Sequence, residues 1–199
     1  MHWKPLCVLF LSLLVVFAGA PARAQVTHSA TEGKLPLTVG AGWSNYSIDW
    51  GPGRRMDGIT AWADWRLRGL PGYLRGLGVS VEGECICWNA PDGIGQHKLQ
   101  AGLGGPSYQF GRWKRARPYL KYMIGFGGMT FSTYNPYYSH DTRVITAPGG
   151  GADVYLWNKL AVRADYEYQF WPDLFGKTSN PNGFTLGAAW DFGYRPRVQ

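Results

Sequence analysis

Beyond residue 24 this 199-residue sequence has no run of about 18 consecutive apolar residues, so it contains no segment able to cross a bilayer as a helix. Charged residues are scarce, at 17%. Cysteine is nearly absent, with Cys7, Cys85 and Cys87 the three, and the only histidines after residue 24 are His28, His97 and His140. That leaves few ligands for a metal centre. Cys85 and Cys87 stand two apart in a strand-like stretch, sharing a face at a spacing that disfavours an unstrained disulfide. They read as two small apolar residues on a strand, with a redox or metal site as the alternative. Aromatic residues are abundant instead, at 9 Phe, 12 Tyr and 10 Trp, and so many rings demand burial and argue against a disordered polymer. The 28 glycines argue against long helices, since each interior Gly costs a helix about 0.5–1 kcal/mol relative to Ala. Strand is what remains. The formal charge of +7 raises nucleic acid as a partner until the charges are placed along the chain.

Residues 1–24 carry Lys4, an apolar run from Leu6 to Phe17, and Ala22-Arg23-Ala24. This is the pattern of a secretory signal peptide with an A-x-A cleavage site. Its removal takes Lys4 and Arg23 with it and lowers the formal charge from +7 to +5. Cys7 precedes the apolar run, which argues against a lipoprotein. Residues 25–34 then form an N-terminal extension.

The rest alternates with period two. In residues 184–192, Phe184, Leu186, Ala188, Trp190 and Phe192 interleave with Thr185, Gly187, Ala189 and Asp191. In residues 160–170, Leu160, Val162, Ala164, Tyr166, Tyr168 and Phe170 interleave with Arg163, Asp165, Glu167 and Gln169. The same rule marks strands at 37–50, 59–68, 77–88, 97–110, 118–134 and 144–156, eight in all. The first loses phase near Asn45, where the odd row of Leu37, Val39, Ala41 and Trp43 gives way to the even row of Tyr46, Ile48 and Trp50. A bulge there would restore the alternation. Long connectors at 51–57, 89–96, 135–143 and 172–181 alternate with a second set at 69–76, 111–117 and 157–159 that is shorter on average. The pattern predicts an all-β fold, an eight-stranded antiparallel up-and-down transmembrane β-barrel over residues 35–194, with a short periplasmic tail at 195–199.

A soluble barrel would turn its greasy row inward. Here glycines (Gly40, Gly42, Gly125, Gly127, Gly149, Gly151, Gly187) share a row with Asp, Glu, Arg and Lys, leaving room for charged side chains in a narrow lumen. Closure also satisfies every sheet edge in hydrocarbon. Aromatics cluster near strand ends: Trp50, Trp88, Tyr134, Phe170 and Trp171 toward the loops, and Phe110, Trp113, Tyr119, Trp157, Trp190 and Phe192 toward the turns. They read as two interfacial girdles, with ordinary core aromatics as the alternative. The positive excess gathers in the turns and the tail, at Arg68, Arg75, Arg112, Lys114, Arg115, Arg117, Lys159, Arg195 and Arg197. Such a rim pairs with phospholipid phosphates, so the charge requires no nucleic acid.

The last strand, Thr185-Leu186-Gly187-Ala188-Ala189-Trp190-Asp191-Phe192, resembles the C-terminal assembly signal of the OmpA-type family of small eight-stranded outer-membrane barrels. The segments 149–155 and 161–168 are similar to that family's penultimate hairpin. The resemblance covers residues 35–194, without a periplasmic peptidoglycan-binding domain after it. It implies residence in the cell outer membrane of a Gram-negative envelope, with both chain ends periplasmic. It also implies outer-membrane lipids as surroundings and the barrel-insertion machinery as an assembly partner that reads Thr185, Gly187, Trp190 and Phe192.

A three-residue turn at 157–159 puts Leu156 opposite Leu160 and hence Asp153 opposite Arg163. A symmetric 172–181 loop would bring Asp191 beside Arg163 as well. Arg163 is therefore expected to anchor a lumenal salt-bridge network with Asp153 and Asp191, with Asp64, Arg66, Glu82, Glu84, Lys121, Asp165 and Glu167 nearby. A structural or surface-interaction barrel with a filled lumen is the first reading of function, its loop partner unidentified, and a narrow porin-like channel is the alternative. A lipid-modifying enzyme is the third. The adjacent Ser139 and His140 lie in a loop with Asp141 as the sole acidic neighbour. No catalytic, metal or cofactor-binding residues are assigned, no cofactor is expected, and the reading is not an enzyme.

Overall fold

A computed structural model describes residues 36–49, 55–89, 97–131 and 140–193. The expected signal peptide, N-terminal extension and C-terminal tail with Arg195 and Arg197, and also Trp50, Tyr134 and Ser139, lie outside them. Eight strands form one closed antiparallel barrel: β1 (Leu37–Ser47), β2 (Arg55–Arg66), β3 (Leu77–Trp88), β4 (His97–Gln109), β5 (Ala116–Phe131), β6 (His140–Tyr155), β7 (Leu160–Tyr168) and β10 (Asn182–Asp191). Each strand pairs with its sequence neighbour, and β10 returns to β1, with Thr38 opposite Asp191 and Ser47 opposite Asn182. Closure leaves no barrel strand with an open edge, the condition that hydrocarbon imposes on a sheet.

Several boundaries differ from the sequence pattern. Strand β2 starts at Arg55 instead of Ile59, and β6 at His140 instead of Val144, because neighbouring strands continue the ladder past the apolar stretch. At that level the Asn45 amide donates to Asp57 at 2.7 Å, a side-chain pair replacing apolar contact. The bulge expected near Asn45 is absent. The β1 ladder runs unbroken on both sides, so Trp43 faces outward while Tyr46 and Ile48 point into the barrel. Phase was lost in the sequence because those two inward residues are apolar, not because the strand is irregular. The register shift falls instead between β2 and β3, where Asp57 opposes Trp88 and Gly58 opposes Ile86. Cys87 is the extra residue, and its sulfur lies 3.8 Å from that of Cys85, beyond disulfide length.

The segment expected to be a connector at 172–181 contains a second small sheet, β8 (Trp171–Leu174) with β9 (Lys177–Ser179). Its turn residues Phe175 and Gly176 both have positive φ, at 49° and 79°, as a two-residue hairpin turn of the primed type requires. The hairpin packs on β6, where Phe170 exchanges backbone hydrogen bonds with Thr146. The outward rows of most strands are apolar: Phe126 is 66% exposed, and Leu120, Tyr122, Ile124, Val144 and Leu186 are each near half exposed or more, whereas β4 buries Leu99, Ala101 and Leu103 inside and leaves Gln100, Gly102 and Gly104 on its outer parity. Such an expanse exceeds what a water-facing barrel shows.

Candidate functional site

The barrel interior is the site, built from one parity of each strand. At the end where the short turns lie, Arg163 on β7 is held by Asp153 on β6 (Nε to Oδ1, 2.7 Å) and by Asp64 on β2 across the lumen (Nη2 to Oδ2, 2.6 Å). Its guanidinium lies between two rings, 4.5 Å from the centroid of Tyr119 and 4.9 Å from that of Trp62. A planar cation between π-faces keeps its in-plane N–H groups available for carboxylates. Ser80 donates to Asp64 at 2.6 Å.

Asp191 is not beside Arg163. The hairpin turn at Phe175-Gly176 lies ahead of the midpoint of its loop, so Gly187 opposes Arg163 in the β7–β10 ladder. Asp191 instead forms a second group nearer the turns, receiving the Tyr155 hydroxyl at 2.9 Å, Arg66 at 3.3 Å and Arg117 at 3.7 Å. Arg117 is thus not part of the basic rim, because it is half-buried and turned inward, with its Nη1 donating to Tyr155 at 2.8 Å.

Midway along the lumen Lys121 reaches from β5 into three carboxylates: Glu82 on β3 at 2.5 Å, then Asp165 and Glu167 on β7 at 2.9 Å each. Those three acids are close enough together to hold a metal cation, and the lysine ammonium stands among them. A Cβ on Gly149 would come within 2.9 Å of the Lys121 stem, so this glycine makes the space the lysine uses. Tyr119 donates to Asp165. Ser44, on β1, hydrogen-bonds to Thr60 and Thr185 on its two neighbouring strands at 2.6 and 2.7 Å.

Above this level the interior turns apolar. Tyr46 and Gln169 both donate to Glu84, at 2.6 and 2.7 Å, and Gln169 also donates to Glu167 at 2.8 Å. Trp171 donates to Gln169 at 2.8 Å, and its ring, fully buried, begins a cluster with Leu174, Met129, Ile145, Met56 and Ile86. A Cβ on Gly127 would fall 2.4 Å from the Trp171 ring. Trp171 and Tyr119 are therefore lumenal and not girdle residues. Trp88, Phe170, Phe110, Trp113, Trp157, Trp190 and Phe192 do lie exposed near strand ends. Trp62, Tyr119, Tyr155 and Gln169 were missed as site residues, although each shares the inward parity of a charged neighbour.

His140 lies exposed, its ring nitrogens 2.9 Å from the hydroxyls of Thr130 and Thr142. Asp141 is engaged elsewhere, accepting from the Phe175 N–H at 2.8 Å and pairing with Arg143 at 3.0 Å. It does not orient the histidine.

A closed sheet that is apolar outside and charged within is a membrane-spanning β-barrel. The sequence matches the model of the outer membrane protein beta-barrel domain over residues 9–192, and the chain belongs to that family. It is an integral outer-membrane barrel protein. Among solved structures, Neisserial surface protein A superposes with a TM-score of 0.61 at 14% identity, over 78% of this chain and 97% of that one. Ail, the attachment invasion locus protein of Yersinia pestis, solved in complex with the heparin analogue sucrose octasulfate, gives 0.52 at 15% identity, over 77% and 96%. OprG from Pseudomonas aeruginosa gives 0.51 at 10% identity, over 80% and 97%. At these identities the likeness is one of fold. No curated protein sequence matches the chain.

Proposed function

We propose that this protein is a closed barrel with a structural or surface-interaction role, exported by its N-terminal signal and inserted with its short turns and both ends toward the periplasm. The supporting observation is the double closure of the lumen. Lys121 bridges β5, β3 and β7 at mid-height, and Trp171 with Leu174 fills the loop end. A filled interior leaves the loops and the hairpin as the surfaces that meet partners, and Ail offers a precedent for a ligand-bearing barrel of this fold. The assembly role of Thr185, Gly187, Trp190 and Phe192 belongs to the same proposal. It is supported by Trp190 lying exposed on the outer face of the final strand and Phe192 exposed just past its end, with Thr185 buried inside.

Purified protein in a planar bilayer is expected to leave the membrane silent. Regular conductance steps would overturn the closed-lumen reading in favour of a narrow channel. Fractionation with the outer membrane, together with altered gel migration of the unheated protein, tests insertion separately.

A further inference from the structure

Below the Asp191 group, at the turn end, a cleft of about 580 Å³ opens between the start of β1 and the β2–β3 turn. Among the described residues its polar lining holds Arg66, Arg68, Arg75 and a single acid, Asp191. That acid is already spoken for. One carboxylate oxygen takes the Gly193 N–H at 2.8 Å, and the other takes the Tyr155 hydroxyl and faces Arg66 and Arg117. Arg68 and Arg75 have no acidic partner among the described residues. Arg66 has donors to spare: its Nη2 reaches Thr38 at 3.2 Å and Asp191 at 3.3 Å, while its Nε is buried without a hydrogen-bond acceptor.

The walls are held in place. The β2–β3 turn contains a short 3-10 segment (Gly72–Leu74), and the Tyr108 hydroxyl donates to the Tyr73 carbonyl at 2.6 Å. Backbone bonds from Leu67 to Leu77 and from Gln109 to Gly76 pin the turn at both sides. The remaining lining is apolar, from Leu67 and Leu70, and Leu67 is 40% exposed beside Trp65 at 46%. Positive charge therefore meets a greasy wall at the level where the lipid-facing rows end. A free anion has no use for that wall, whereas a phospholipid uses both parts.

We propose that this cleft binds the phosphate of an anionic phospholipid, with Arg68 and Arg75 supplying the charge and Leu67 and Leu70 guiding the acyl chains. It rests on the orientation proposed above, since only turns facing the periplasm would place the cleft at the phospholipid leaflet.

The test uses purified full-length barrel in mixed micelles of dioleoyl phosphatidylglycerol and dioleoyl phosphatidylcholine, with retained lipid read by native mass spectrometry. Each arginine at a lipid surface is worth a factor of about five, so the wild type is expected to favour phosphatidylglycerol by about tenfold or more. The doubly substituted Arg68→Gln, Arg75→Gln protein should lose most of that preference. An equally neutralised rim variant, Arg112→Gln with Lys114→Gln, should lose clearly less of it, because those two charges lie outside the cleft. Equal retention of the two lipids by the wild type, or the same loss in both variants, would overturn the site. Binding of inorganic phosphate without any lipid preference would overturn the lipid assignment. Unheated gel migration of each variant reports barrel folding independently, and outer-membrane fractionation with protease access reports orientation, so failure of either earlier reading is seen apart from failure of this one.

Discussion

The two halves of the lumen solve the same packing problem with opposite chemistry. Toward the turns, Arg163, Lys121, Arg66 and Arg117 are shared among six carboxylates, and nearly every polar atom has a partner on another strand. Toward the loops, Leu174 and the methionines fill space without direction, and Trp171 adds only one directed bond, to Gln169. Glu84 and Gln169 form the seam, each hydrogen-bonded within the polar half or to a ring of the apolar one. Tolerance to substitution therefore lies in the apolar half. An apolar filler can be replaced by another of like volume, usually for less than about 1.5 kcal/mol, whereas an ion in a network cannot be removed without stranding its partners.

The largest effect is expected for Arg163→Met, which leaves Asp64 and Asp153 facing each other without a counter-charge. Urea unfolding in lipid should show a loss of about 3–5 kcal/mol, and an unchanged midpoint would refute the asymmetry between the halves. Trp171→Ala should cost somewhat less, about 3 kcal/mol, because the cavity lies at the barrel mouth; Trp171→Phe should recover much of it, which a directional network residue would not permit. Gly127→Ala drives a Cβ against the Trp171 ring and should cost about 1–3 kcal/mol. Combining it with Trp171→Ala should be less than additive, a result the double-mutant cycle measures directly. The smallest effect belongs to Asp141→Ala, which unhooks the Phe175 N–H and should lower stability by about 1 kcal/mol while raising protease cleavage within residues 172–180. If cleavage does not rise, the hairpin is held by its other contacts: the Trp171 ring, the Phe170–Thr146 backbone pair and the Ser179 hydroxyl donating to the Ile48 carbonyl at 3.2 Å.

Much of this was legible in the alternation. Parity alone assigned Asp64, Arg66, Glu82, Glu84, Asp165 and Glu167 to one face, and a three-residue turn fixed Asp153 against Arg163. Inward aromatics were not legible, because a ring near a strand end suits both a girdle and a lumen. Tyr119 and Trp171 follow the parity of Lys121 and Gln169, and parity, not nearness to the end, decides. The cross-lumen pair of Arg163 with Asp64 was also out of reach, since ladder register links neighbours and says nothing about strands facing each other across the interior. The hairpin stayed hidden because Trp171 and Leu174 are three apart, a spacing that reads as loop when Pro172 and Asp173 fill it.

The Arg163–Asp64 pair joins residues 99 apart in sequence, and the Ser44–Thr185 hydrogen bond spans 141. The hydrogen bond cannot form until the last strand has met the first, and the ion pair needs β7 brought round to face β2 across the lumen. During insertion these charges must stay solvated, and only a lumen still open to water can provide that. The wiring of the interior is thus a record of completion: a barrel arrested one strand short keeps its carboxylates wet, and drying of the interior marks the moment the seam between β1 and β10 shuts.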